Sequence, residues 1–412
     1  MKTNNIISII LLILVIGLIS CSNQQTMPGI EVLEQNNFNI LEGKNIGLIT
    51  NPTGVNSKLK STVDILFEAE NVNLVALYGP EHGVRGNFSA GDKIEGSLDP
   101  KTQLPVFSLY GKTRKPSAEM LKGIDALVYD IQDVGARSYT YVSTLGLAME
   151  AAAENNIEFI VLDRPNPLGG NRVEGGLVDN DCVSFVSQFP VPYIYGLTAG
   201  ELATYLNEEG LLSGGKKCNL QVVKMKNWTR DLSYPETGLP WVPASPHIPR
   251  YNSAFFYSAT GIIGELDANS IGIGYTLPFE LFATPWLNAD DLASKIEEFN
   301  MPGVIFRPIS FKPYYMKNKG KEHHGVQIHI TDYKTVNLTE IQFRLVQSAH
   351  ELAPDSSIFE MHPERWNMFD KVTGSKMIRE KFMPNYNYND IKDFWEKPAA
   401  EFKQKKQKYH LY

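Results

Sequence analysis

Cysteine is scarce in this chain, with three in 412 residues: Cys21, Cys182 and Cys218. None belongs to a Cys-x-x-Cys pair, so zinc-ribbon and dithiol redox chemistry have no motif to rest on. Cys182 and Cys218 read equally as a disulfide or as two buried thiols. Ligand spacing of the His-x-x-x-His kind is missing too, and no metal is expected. His82, Asp130, Asp133 and Asp163 still leave a metal-dependent hydrolase as a weaker reading. There is no Gly-x-Ser-x-Gly elbow, which disfavours a Ser-His-Asp hydrolase. No Gly-x-Gly-x-x-Gly follows the first strand, which removes a dinucleotide site. No cofactor is therefore expected. Excess basic charge is lacking: 39 Lys and Arg stand against 46 Asp and Glu, a net charge of −7 that argues against nucleic acid as a partner. The lysine-rich end, Lys403 to Lys408, reads as a solvated helix face. Internal repeats and low-complexity segments are absent.

A long apolar run occurs once, from Ile6 to Ile19 behind Lys2. It is short for a membrane span and leads into Leu18-Ile19-Ser20-Cys21, the pattern of a secretory signal. Cys21 sits where a bacterial lipobox places the lipidated residue. The expectation is a lipoprotein signal over 1–20 and a tether over 21–40. The protein would then be lipid-anchored in the bacterial cell envelope, at the outer membrane facing the periplasm, with that anchor as its sole membrane contact.

The rest is ordinary globular material, 43% apolar and 21% charged. From Asn45 to about Pro192 strands and helices alternate. Strands are expected at Asn45–Thr50, Leu74–Tyr78, Leu104–Tyr110, Ala126–Ile131 and Phe159–Leu162. Helices are expected at Ser61–Ala69, Ser117–Gly123 and Ser138–Asn155. Thr198 and Glu201 are spaced as a capping box for a further helix. This alternation predicts an α/β fold: a Rossmann-like, mostly parallel sheet domain over 41–245. A proline- and tryptophan-rich linker then leads to a smaller α+β C-terminal domain over 246–412. The oligomeric state is not legible.

Acidic residues recur just past strand ends, where open α/β sheets bind ligands. Glu81 follows the strand ending Leu77-Tyr78-Gly79-Pro80. It reads as a general acid/base, or as a turn residue paired with Arg85. Asp130 and Asp133 end the strand at Ala126, with Arg137 behind them as an anion binder or an internal ion-pair partner. Asp163 and Arg164 end the strand at Phe159, followed by Asn166 as a hydrogen-bonding group. His82, Arg85, Tyr139, Tyr141, Glu174 and Tyr195 are further candidates for contacting substrate. Tyr139 and Tyr141 would lie on different sides of one helix, one in the core and one in the cleft.

Three segments carry a resemblance. Tyr78-Gly79-Pro80-Glu81-His82-Gly83-Val84-Arg85-Gly86, the stretch Asp130 to Tyr141, and Leu162 to Gly170 are similar to the bacterial exo-β-N-acetylmuramidases of the NamZ type. The likeness continues through Trp241-Val242-Pro243, Ser245 to Pro249, Phe369 to Ser375 and Tyr409-His410-Leu411-Tyr412. It implies a Rossmann-like domain, a smaller C-terminal domain and a cleft between them. It implies release of N-acetylmuramic acid from the non-reducing end of peptidoglycan fragments, making a peptidoglycan-derived saccharide the partner. Glu81 occupies the position of that family's proposed catalytic glutamate. Asp130, Asp163 and Glu265 compete for the second carboxyl, and Arg137 or Arg164 for the lactyl carboxylate. One stretch departs: Ala268 and Ile273 stand where relatives carry asparagine and arginine. Losing that arginine removes a charge and up to five donors. A shifted specificity, or a non-catalytic glycan-binding lipoprotein, is the alternative it raises.

Overall fold

The computed structural model describes residues 25–86, 97–316 and 318–412. Cys21 and the apolar leader lie outside the described residues.

Strands β1 (Asn45–Thr50), β2 (Asn73–Gly79), β3 (Ser97–Leu98), β4 (Pro105–Ser108), β5 (Ala126–Asp130), β6 (Glu158–Leu162) and β7 (Asn219–Val223) form one sheet. Their order is β3-β4-β2-β1-β5-β6-β7, with every pairing parallel except β3 with β4. Alternate residues serve opposite faces, as the pleat requires. Leu127, Tyr129, Phe159 and Val161 enter one core, while Ala126, Val128, Ile160 and Leu162 enter the other. Helices Tyr141–Asn155 and Ala199–Glu208 cover the first face, and helices Gly29–Gln35 and Thr62–Glu68 cover the second. The capping box at Thr198 and Glu201 is present, and Ser61 caps its helix by accepting from the Asp64 amide.

A second, antiparallel sheet follows: β8 (Leu281–Thr284), β9 (Val304–Phe311) and β10 (His323–Ile330), in the order β8-β10-β9. Helices Ser253–Gly264, Ala289–Glu297 and Leu338–Leu352 pack with it. One hydrophobic cluster runs without a break from Leu127 and Phe159 to Val326 and Phe343, so the two sheets share a core. No described helix is long and apolar enough to cross a membrane.

Several expectations change. The expected tether over 21–40 is folded from Gln25 onward: Met27 bridges Lys226, and Ile30 and Leu33 are fully buried. Gly29 lies so close to β6 that a Cβ there would sit 2.5 Å from the Asp163 amide, and its own N–H donates to Asp163 O at 2.8 Å. Ser117–Gly123 closes only a turn, with Leu121 N bonded to Ser117 O at 3.1 Å. The lysine-rich end is not uniformly solvated. Lys406 is 2% exposed, and its ammonium donates to the carbonyls of Gly170 and Gly196, each at 2.7 Å. The final residues fold back on the first sheet. Leu411 N donates to Glu201 Oε1 and the Tyr412 hydroxyl to Asp163 Oδ2, both at 2.8 Å. The end of the chain thus packs on the first sheet as well as on its own half.

Arg137 was a candidate for anion binding; it is instead the clamp between the two halves. It is fully buried. Nε donates to Ser187 Oγ at 3.0 Å, and Nη1 donates to the carbonyls of Gly176 at 2.8 Å and Val191 at 2.5 Å. Nη2 reaches across to Val372 O at 3.1 Å and Thr373 O at 2.8 Å. No donor is left for a substrate carboxylate. Lysine offers three donors and no planar fork, so Arg137→Lys leaves buried carbonyls unsatisfied. The expected loss is on the order of 3 kcal/mol, read as a lowered midpoint in urea. An unchanged midpoint contradicts the clamp.

Candidate active site

The carboxylates at the strand ends divide by burial. Asp130 is fully buried; Arg164 Nε donates to Oδ1 at 2.5 Å and Nη2 to Oδ2 at 2.9 Å, and the Thr62 hydroxyl donates to Oδ2. Arg164 also binds Val55 O at 2.7 Å. The pair leaves neither Asp130 oxygen without an internal partner. Asp163 is fully buried as well. Its Oδ1 accepts from the amides of Arg164 at 3.0 Å and Gly200 at 2.8 Å. Its Oδ2 accepts from the hydroxyls of Thr198 at 2.7 Å and Tyr412 at 2.8 Å. It ties β6 to the next helix and to the end of the chain.

Asp130 and Asp163 therefore both have their oxygens engaged within the protein.

The remaining candidates are mostly architectural. Arg85 pairs with Asp99 at 2.8 Å and Asp64 at 3.2 Å, and this guanidinium holds the Asp99 carboxyl down at about 2. Asn166 donates to Leu197 O and accepts from Leu168 N, both at 2.9 Å. Glu174 accepts from Arg172 and from Thr339 N, capping the helix at Leu338. Glu174 also lines a cavity of about 520 Å³ between the Pro167–Glu174 loop, Arg230–Ser233 and Tyr333–Asn337, whose walls share no residue with the neighbours of Glu81. Tyr195 is buried and donates to Asp133 Oδ2. Cys182 and Cys218 are separate buried thiols.

Glu81 stands apart. It is half-buried, hydrogen-bonded with Tyr110, and its charge acts on the hydroxyls of Tyr139 and Tyr141. The turn that presents it is tight: Gly83 N bonds to Pro80 O at 2.9 Å, with His82 at φ 72° in the third position. That position of a type II turn ordinarily takes glycine. A histidine there marks local backbone strain next to the exposed carboxyl, a common property of functional turns. Tyr139 and Tyr141 do share a side, contrary to the helical expectation. The helix begins only at Tyr141, and the rings meet edge to face at 5.0 Å. Tyr141 donates to Ala244 O at 2.7 Å; its hydroxyl also neighbours Asn51 and Tyr139, and the buried Tyr139 hydroxyl lies beside Ser245. Asn51 follows β1, flanked by β2 and β5 where the sheet's connections diverge in direction, the usual ligand crevice of such sheets.

The C-terminal half supplies the facing wall. Tyr257 meets Tyr139 edge to face at 5.5 Å and lies 2.8 Å from Ser138 Oγ. Glu265 is partly exposed, paired with Arg365 at 2.9 Å, and its charge acts on Tyr193 and Tyr257; burial raises its carboxyl above the usual range. His247, from the proline-rich linker, is held below its usual range by burial and then by the neighbouring His82. Tyr110, Asn51, Tyr257 and His247 were not among the expected site residues. Asn51 was discoverable, since it too follows a strand. Ala268 and Ile273 are half-buried and pack against the main core.

A parallel α/β sheet with a half-buried carboxyl at its switch-point edge, beside tyrosines from both halves of the chain, has the make-up of an α/β enzyme that moves a proton. Family models for the exo-β-N-acetylmuramidase NamZ match the chain over residues 46–252 (N-terminal domain) and 255–412 (C-terminal domain). The chain belongs to the NamZ exo-β-N-acetylmuramidase family. It is 44% identical over 388 residues to the peptidoglycan β-N-acetylmuramidase NamZ of Bacillus subtilis, covering 94% of this chain and 92% of that protein. Crystal structures of two DUF1343 family proteins from Bacteroides fragilis are similar. One is 56% identical with a TM-score of 0.91, the other 30% identical with a TM-score of 0.74; each comparison covers 94% of this chain and 99% of the other.

Two measurements follow. Glycine removes the strain at residue 82, by about 1 kcal/mol; His82→Gly is expected to keep or raise the melting temperature while lowering turnover. A lower melting temperature would show that the histidine side chain outweighs the strain. The second concerns Asp133, whose Oδ1 is buried without a partner while Oδ2 accepts from Gly135 N at 2.8 Å and from Tyr195. Burial raises the carboxyls of Asp133 and Asp163 to about 6. With unfolded values near ~3.9, the native state holds more protons between pH ~4 and 6. Their contribution is therefore favourable below that window and lost as pH rises through 6. Asp133→Asn, whose amide can occupy the unpartnered position, is expected to flatten the fall in melting temperature between pH 5 and 7. An identical slope counts against this assignment.

Proposed function

We propose that this chain is an exo-acting glycosidase that releases N-acetylmuramic acid from the non-reducing end of peptidoglycan fragments, with Glu81 as the proton-transferring carboxyl. The observation that carries this reading is the division among the strand-end acids: Asp130 and Asp163 are buried with their oxygens engaged, and Glu81 is half-exposed among tyrosines. Family membership supplies the substrate class, since the Bacillus subtilis relative is a peptidoglycan β-N-acetylmuramidase.

Glycoside cleavage needs a proton delivered to the leaving oxygen as positive charge grows on the sugar. Glu81, oriented by Tyr110, delivers it. Asn51, donating through its amide N–H, and Tyr139, through its hydroxyl, bind the terminal sugar's polar groups. Glu265, presented from the C-terminal half, is the second carboxyl. We also propose that Cys21 carries a lipid that holds the protein in the bacterial envelope, probing the periplasm from the outer membrane, which would bring it to its polymer.

A chromogenic β-N-acetylmuramide tests the assignment. Wild type is expected to release the chromophore, Glu81→Gln to lose about 10²–10⁴-fold in kcat, and Glu265→Gln to lose activity with the pH profile changed. Absence of release by the wild-type protein overturns the hydrolase reading and favours a glycan-binding role for the same cleft.

A further inference from the structure

Tyr314, Tyr315 and Met316 are 61%, 46% and 60% exposed, consecutive large side chains at one tip of the β9–β10 loop. Exposed aromatics of this size in a contiguous run mark a binding surface more often than a random one. The tip is firmly seated. Tyr314 N donates to Gly274 O at 2.7 Å, and the Tyr314 ring stacks on Tyr275 at 5.4 Å. Gly274, at φ 89°, comes so close that a Cβ would lie 2.5 Å from Tyr315 O. Tyr275 in turn rests on Phe311 at 4.8 Å. The Tyr314 ring is thus backed on one side by Tyr275.

They also connect to the site. The Tyr315 hydroxyl lies 3.2 Å from His247 Nε2, with the two rings near-parallel at 12° and 6.3 Å apart. His247 in turn sits within electrostatic range of His82, the residue after Glu81. The tip therefore meets the linker that carries His247, and Tyr315 is the residue that joins them.

We propose that Tyr315 and Tyr314 form a platform for the sugar rings on the leaving side of the scissile bond, so that the protein grips the glycan beyond the residue it removes. An exo-acting enzyme encloses one terminal sugar and must let the rest of the chain exit over an open surface. Pyranose rings carry an apolar face of C–H groups that packs against aromatic planes, while their hydroxyls stay in water. A half-exposed, rigidly backed tyrosine pair suits that ligand better than it suits a protein partner, which would need a larger apolar area. This inference rests on the glycosidase reading, and its test is built to fail separately from it.

The experiment compares two substrates: a chromogenic β-N-acetylmuramide, which has no sugar beyond the bond, and a glycan capped by N-acetylmuramic acid. Tyr314→Ala and Tyr315→Ala are each expected to lower the ratio of kcat/KM for glycan to that for muramide about tenfold. Tyr315→Phe keeps the ring and is expected to keep the ratio. Calorimetric titration of the same glycan into Glu81→Gln, with and without Tyr314→Ala, reads the platform without catalysis, with an expected tenfold weakening. Ratios and affinities unchanged in both alanine variants overturn the platform. If wild type cleaves neither substrate, the hydrolase assignment falls and the titration still decides whether these rings hold sugar.

Discussion

A buried guanidinium bonded only to neutral oxygens holds this molecule together. Arg137 leaves the loop after β5, where the site also begins, and its donors end on carbonyls from three separate stretches of chain and one hydroxyl. Burial lowers its basicity to about 10, still far above neutral, so it stays charged. The cost of burying that charge is offset by five directed hydrogen bonds. The two tyrosines next along the chain, Tyr139 and Tyr141, are consequently fixed against the C-terminal half. The clamp ties the loop that carries both tyrosines to the C-terminal half.

The same logic accounts for the other strand-end charges. Asp130 with Arg164, Asp163 with Thr198 and Tyr412, and Arg85 with Asp99 fasten loops to one another. They form a ring of engaged polar contacts around an edge at which one carboxyl, Glu81, is left half-exposed. A loop that carries a functional group must be held at several points, because a shift of an ångström costs catalytic alignment.

The strands, the capping box and the edge on which the site lies were legible in the sequence, because apolar runs ending in Gly-Pro or Asp-Arg signal parallel strands directly. The sorting of acids was not legible. Glu81, Asp130 and Asp163 lie at or just past the ends of their strands, and their difference lies in partners distant in sequence, such as Arg164 on Asp130 and Tyr412 on Asp163. The grouping of Tyr139 with Tyr141 was hidden for a local reason: the helix starts at Tyr141, not at Ser138 as its pattern suggests, so helical spacing does not apply to the first of them. Gly29–Gln35 escaped notice because a seven-residue helix between polar segments resembles a linker until the surface that receives it is known.

The return of residues 406–412 to Gly170, Gly196, Glu201 and Asp163 has a consequence for biogenesis. A ribosome makes the first sheet long before it makes the segment that completes that sheet's edge. Domains generally fold in order of emergence, yet here the early one must wait, with its Asp163 carboxylate hydrated and lacking the Tyr412 hydroxyl, until some two hundred further residues have appeared. The edge of the first sheet is therefore completed only once residues 406–412 have emerged.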